Sequence, residues 1–198
     1  MRRVSDRGWT RDRPPNNRLL EAARDVPEAT RPALGSFAGQ LRDLEERIEA
    51  ATARIAAAQK ADPLARRLAT IPGLGPIASS AFAATTPDVE VFRSARDYAA
   101  WLGLTPRAHP SGGKARLGRI SKAGNRYLRR LLCLGAMARI SAKRGRRVVP
   151  TDQQAPGWLD RMLACKPVKV VAIALAVRMA RTVRALIARG GSYRAMPG

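Results

Sequence analysis

From Ala33 onward, apolar residues recur at helical spacing: Leu34, Phe37, Leu41, Leu44, Ile48 and Ile55 stand three, four or seven residues apart, with Arg42, Glu45, Glu46 and Arg47 among them. The pattern predicts a long amphipathic helix with coiled-coil character over 33–62. It is either packed on its own domain or paired with a second copy, since three heptads are near the minimum for a stable zipper. Ahead of it, residues 1–32 are rich in Arg, Pro and Asn and carry no apolar period beyond Leu19, Leu20, Ala22 and Ala23, the composition of a disordered segment. Pro63 interrupts the helical run, and a new one from Leu64 to Leu68 ends at Ile71-Pro-Gly-Leu-Gly-Pro76, followed by small apolar residues from Ile77 to Ala84. Helix, tight glycine-bearing turn, helix is the shape of a helix-hairpin-helix element. Within it, Gly73 and Gly75 either turn backbone N–H groups toward a phosphate or serve a purely structural corner.

Further along, Pro87 to Arg93 reads as a connecting loop, and Ser94 as the cap of a helix that turns Tyr98, Trp101 and Leu102 to the core and ends at Gly103. Leu104 to Arg119 holds two prolines and three glycines among few apolar residues, so it is an irregular loop or hairpin. Ser121 to Asn125 marks a helix start, after which Tyr127, Leu128, Leu131, Leu132, Leu134 and Met137 form the expected buried face. A basic loop from Lys143 to Arg147 leads to a helix at Pro156-Gly-Trp158 and then to a long final helix from Pro167 to Arg189. The expected fold is all-α: a coiled-coil-like helix, then a compact helical domain over 63–193 with one special loop, and a tail over 194–198.

Charge sharpens this picture. The chain has 198 residues and 45% apolar content, enough for a core, but 37 Lys and Arg stand against 15 Asp and Glu, a formal net charge of +22. Between Asp97 and Asp152 there is no acidic residue, while thirteen basic ones fall there. Nothing within that stretch neutralises it, which points to nucleic-acid phosphates as counter-ions. The other reading is a coding bias that leaves solvated arginines. No signal peptide is legible at the N-terminus, and the apolar run from Pro167 to Val177 is too short and too charged at its end to cross a bilayer. The expected location is cytoplasmic and nucleoid-associated. Cys133 and Cys165 sit singly in apolar helical patterns and read as buried structural thiols.

The candidate chemistry lies in His109-Pro-Ser-Gly-Gly-Lys114, which sets a hydroxyl beside two unshielded backbone N–H groups and a cation. A nucleophile, oxyanion donors and a counter-charge are what attack on a phosphodiester needs. A turn serine contacting phosphate or backbone is the alternative, and His109, the single histidine, is read as a hydrogen-bonding surface residue with a minor role. Glu45, Glu46 and Glu49 are solvated helix charges, so no metal site is expected in this chain. The nucleic-acid-binding set is Gly73, Gly75, Arg107, Gly112, Gly113, Lys114, Arg116, Arg119, Lys122, Asn125, Arg126, Arg129 and Arg130, the last residues lying at the positive end of a helix dipole.

Several long words in the chain carry a family resemblance: Ile71-Pro-Gly-Leu-Gly-Pro76, Phe92-Arg-Ser94, Ala100-Trp-Leu-Gly-Leu-Thr-Pro-Arg107, Ser111-Gly-Gly-Lys114, Arg116-Leu-Gly-Arg-Ile-Ser-Lys122 and Gly124-Asn-Arg-Tyr-Leu-Arg129. The stretch from Leu68 to Leu132 resembles the C-terminal transposase domain of the insertion-sequence 110 family, especially its 1111 subgroup. Looser similarity extends through Trp158 to Tyr193, and the helix from Ala33 is similar to the family's coiled coil. The resemblance implies an enzyme that moves a mobile element with a noncoding guide RNA, joining an N-terminal RuvC-like domain with a DEDD set of metal-binding acids to a domain whose serine links covalently to DNA. That serine maps onto Ser111. The implied partners are DNA, guide RNA and a second copy, and magnesium would be bound by the RuvC-like domain. Upstream of residue 33 no strand pattern is present, and Asp6, Asp12 and Asp25 cannot stand in for the DEDD acids. The expectation is therefore a truncated, degraded or re-initiated transposase frame, with a non-catalytic nucleic-acid-binding remnant as the competing reading.

Overall fold

The computed structural model describes residues 27–111, 114–145 and 157–194, and of 108–111 and 114–117 the backbone only. Residues 1–26, most of the segment expected to be disordered, lie outside the described residues, as do Gly112, Gly113 and, of the expected basic loop from Lys143, Arg146 and Arg147; Lys143 to Gly145 are not loop but the last residues of a helix. The described chain is all-α apart from one two-stranded ribbon. It divides into two compact units, one up to Arg54 and one from Ile55.

The described part of the first unit is a single 3-10 turn at Glu28–Thr30 and helix α1 (Arg31–Ala61) as far as Arg54, the last residues of the helix being counted in the second unit. The apolar stripe of α1 is open: Phe37 and Ile48 are each 60% exposed, and Leu41 and Leu44 are exposed as well. The helix ends where expected. Asp62 adopts an extended conformation before Pro63, and its Oδ1 accepts from Leu64 N at 2.8 Å, which caps α2 (Pro63–Ala69).

In the second unit α2 is followed by the glycine turn and α3 (Pro76–Thr85), then by α4 (Ala95–Trp101), the ribbon, α5 (Arg126–Gly145), α6 (Trp158–Cys165) and α7 (Val168–Arg189). Helix α7 is the hub, packing on α2, α4, α5 and α6. Its buried side is nearly continuous along its length, including Val171, Leu175, Met179 and Val183. Around it Leu68, Ile71, Phe82, Tyr98, Leu102, Leu104 and Leu132 are fully buried, each such side chain contributing about 1.5–3 kcal/mol. Phe92, Tyr98 and Trp101 form an aromatic cluster, with Phe92 edge-on to Tyr98 at 5.2 Å. Burial pushes the Tyr98 phenol up to about 12, with its hydrogen bond to Thr86 acting the other way.

Two expectations about burial are corrected. On α5 the buried residues are Leu128, Leu132, Gly135, Ala136 and Ile140, whereas Tyr127 (54%), Leu134 (53%) and Met137 are exposed. The helix is apolar on more than one side, and the side chosen is the one facing α7 and the glycine turn. Cys165 is exposed at the end of α6 and Cys133 is half-buried, so neither is a fully buried thiol. Burial raises the Cys133 thiol above its ordinary value, with the Arg129 charge opposing.

Candidate nucleic-acid interface

The segment from Pro106 to Ile120 folds into an antiparallel hairpin of β1 (Pro106–Ser111) and β2 (Lys114–Ile120). Prolines are tolerated there because each strand of a two-stranded ribbon has a free edge. Ser111 pairs with Lys114, His109 with Arg116, Pro110 with Ala115 and Ala108 with Leu117, with an irregularity between Pro106 and Ala108. Residues opposite each other share a face and successive residues alternate. One face therefore carries His109, Ser111, Lys114 and Arg116, and the other Ala108, Pro110, Ala115 and Leu117. Six residues of strand carry Ser111 roughly 20 Å from the base of the ribbon, at about 3.3 Å per residue.

The base is tightly built. Ser121 N donates to Thr105 O at 2.9 Å, Lys122 N to Gly103 O at 3.1 Å, and Arg107 Nη2 to Ser121 O at 3.2 Å. The half-buried Arg129 donates through Nη1 to both Leu102 O and Ala123 O, each at 3.0 Å, tying the end of α4 to the approach of α5. This close approach requires glycine on both sides. A Cβ on Gly103 would stand 1.9 Å from Ala123 O and one on Gly124 1.8 Å from Trp101 O, and both have positive φ. Lys122 shares that left-handed conformation, with φ of 56°.

The residues expected to grip nucleic acid fall into distinct groups. Arg119, Lys122, Arg126 and Arg130 are exposed around the base of the ribbon and the first turns of α5. Lys114 and Arg116 lie on the ribbon, and Arg107, also exposed, sits near its base. Asn125 is occupied as a cap: its Oδ1 accepts from Tyr127 N at 3.0 Å and Leu128 N at 3.1 Å, so two amides at that helix start already have a partner. Asn125→Ala is expected to cost about 1 kcal/mol of stability, measured by denaturant unfolding, with DNA retention nearly unchanged. Arg129 is committed to the clasp.

The glycine turn stands apart from this group. Gly73 (φ +98°) packs backbone to backbone on Gly135, since a Cβ there would lie 2.7 Å from Gly135 O. Gly135 is nine residues into α5 from Arg126, roughly 14 Å along the helix. Gly75 caps α3 and has nothing within 4 Å of its Cβ position, so of the two glycines it alone leaves open space. The sequence pattern missed Tyr127, exposed between Arg126 and Arg130, and the roles of Gly103 and Gly124. An exposed Tyr127 is legible only once the Leu128–Leu132–Ala136–Ile140 stripe is chosen as the inner one.

Among the described residues no group of three or more His, Cys, Asp or Glu could hold a metal ion, and no helix is long and apolar enough to cross a membrane.

Known proteins resemble the chain in sequence over this region. The model of the IS116/IS110/IS902 transposase family matches residues 65–149, a span that includes the glycine turn, the ribbon and α5. A Pseudomonas aeruginosa protein named as a family 20 transposase is 41% identical over 181 residues, 89% of this chain and 52% of its own length. The protein y4pF/y4sB of Sinorhizobium fredii, also named as a transposase, is 37% identical over 179 residues, 90% of this chain and 45% of its own. The transposase for insertion sequence element IS1111A of Coxiella burnetii is 32% identical over 155 residues, 78% of this chain and 41% of its own. The chain spans about half the length of the first two of these relatives. The family model and these relatives together place this chain, through residues 65–149, in the IS116/IS110/IS902 family of transposases.

Proposed function

We propose that this chain is the DNA-handling, serine-bearing part of an RNA-guided insertion-sequence transposase, and that Ser111 makes and breaks the covalent link to DNA. The observation that carries this reading is the pairing of Ser111 with Lys114 at the far end of a basic ribbon, with Arg116 on the same face. A serine hydroxyl becomes useful for phosphoryl transfer where fixed cations meet the charge that builds on the phosphate oxygens. Lys114 and Arg116 serve that purpose, Arg119 supports them from nearer the base, and Gly112 and Gly113 allow the phosphate to approach the backbone. Arg107, Lys122, Arg126 and Arg130 hold the flanking DNA or guide RNA. The open apolar stripe of α1 pairs with that of a second copy, making the working unit a homodimer or higher oligomer. No step of this reading is routed through a metal held by this chain.

Two measurements on the purified chain test it. A labelled duplex spanning the end of the encoding element, supplied with its noncoding RNA and an intact N-terminal RuvC-like domain, without which the chain is expected to be inactive, should yield a protein–DNA adduct that survives denaturing electrophoresis. Retention of that duplex should weaken steeply with salt. Neutralising about five phosphates gives a slope of about −4.5 in log K against log salt, or roughly 500-fold between 50 and 200 mM. Binding that ignores salt contradicts the assignment of the basic surface, and the absence of any adduct contradicts the assignment of Ser111.

A further inference from the structure

His109 and Ser111 stand two residues apart in β1 and therefore on one face of the ribbon, with Arg116 directly across from the first and Lys114 directly across from the second. Alternate residues of a strand are about 6.6 Å apart along it, and directly opposed residues about 5 Å between Cβ positions. The register thus sets His109, Ser111, Lys114 and Arg116 on one face of the ribbon. This juxtaposition depends on the register and is invisible in the linear motif.

We propose that His109 is the proton acceptor for Ser111, a role that rests on the reading of Ser111 as the nucleophile. As Ser111 Oγ forms its bond to phosphorus, its proton passes to the imidazole and the bond from phosphorus to the departing deoxyribose oxygen breaks. That oxygen then takes the proton and leaves as a hydroxyl. Rejoining runs the same steps in reverse, with the deoxyribose hydroxyl as attacker and Ser111 as the group released. One phosphate ester replaces another, so no oxidant, reductant or nucleotide is consumed.

The step needs the neutral imidazole as proton acceptor. The charged residues sharing the ribbon face are Lys114 and Arg116, with Arg107 next along β1, and no carboxylate occurs between Asp97 and Asp152. In general a cation beside an imidazole disfavours its protonated form. A bound phosphate opposes this effect, which helps the ring hold the proton until the departing oxygen takes it.

Because His109 is the only histidine in the chain, a ring-proton NMR titration reports on it alone. Arg116→Gln is expected to move its midpoint to higher pH by a few tenths of a unit, and Ser111→Ala to shift it measurably. A midpoint indifferent to both overturns the proposal without any turnover being needed. In the adduct assay, the wild-type rate should rise through the histidine titration and level off. His109→Ala should be about 100- to 10,000-fold slower, lose that pH dependence, regain part of the rate with added imidazole, and keep its DNA retention. A His109→Ala chain with the wild-type rate and profile overturns the proposal. A wild-type chain that forms no adduct, or a Ser111→Ala chain that forms one, refutes the nucleophile reading and this inference with it. Those outcomes are distinguishable from a failure confined to His109→Ala.

Discussion

Ser111→Ala leaves the chain bound to DNA and unable to become covalently attached to it. The substitution removes one oxygen at the end of a ribbon whose base, from Thr105 to Ser121, is held by bonds that do not involve residue 111. The cations Lys114, Arg116 and Arg119 remain, and they carry most of the attraction for phosphate. Retention of duplex DNA is therefore expected within about tenfold of wild type, since one uncharged hydroxyl contact is worth about 0.5–1.5 kcal/mol at most. Adduct formation should fall at least about 1,000-fold, because no other group on that ribbon face can form a stable phosphate ester with the DNA. Filter retention measures the first quantity and electrophoresis after denaturation the second. An adduct that persists would move the nucleophile elsewhere. A loss of retention with the adduct would make Ser111 a contact residue instead.

The second large effect concerns stability. Gly124→Ala and Gly103→Ala are each expected to cost about 3 kcal/mol or more, lowering the melting temperature by roughly 6–12 °C for a chain of this size. At Gly124 the added methyl would lie 1.8 Å from Trp101 O, and at Gly103 1.9 Å from Ala123 O, so backbone on both sides of the clasp would have to separate. The positive φ of +81° or +71° adds about 1–2 kcal/mol for any residue with a Cβ. Separation would also lengthen the paired bonds of Arg129 to Leu102 O and Ala123 O and loosen the base that aims the ribbon. Gly39→Ala is the control: it lies within helix α1, meets nothing within 4 Å, and should stabilise by about 0.5–1 kcal/mol. Thermal unfolding followed by circular dichroism decides between these outcomes. Wild-type melting of Gly124→Ala would mean that the clasp does not hold in solution.

Much of the scaffold was legible residue by residue, because caps and breakers act within a single helical turn. Asp62-Pro63 separates α1 from α2, Ser94 caps α4 through Asp97 N, and Asn125 opens α5, each as its side chain and backbone preferences dictate. The one-signed charge between Asp97 and Asp152 is likewise a property of the sequence, as is the family likeness carried by its motifs.

Only the tertiary structure decided how those parts are used. Helix α5 has apolar residues on most of its circumference, so its period could not say that Leu128 and Leu132 turn inward while Tyr127 and Leu134 face outward; packing against α7 makes that choice. Gly73 looked equally suited to a phosphate turn or a corner, and the close approach of Gly135 makes it a packing residue. Arg129 read as one more phosphate ligand until the carbonyls of Leu102 and Ala123 met it. The same holds for the face shared by His109, Ser111, Lys114 and Arg116. A local motif records spacing along the chain, but which residues stand opposite one another depends on strand register, and register exists only once the two strands pair.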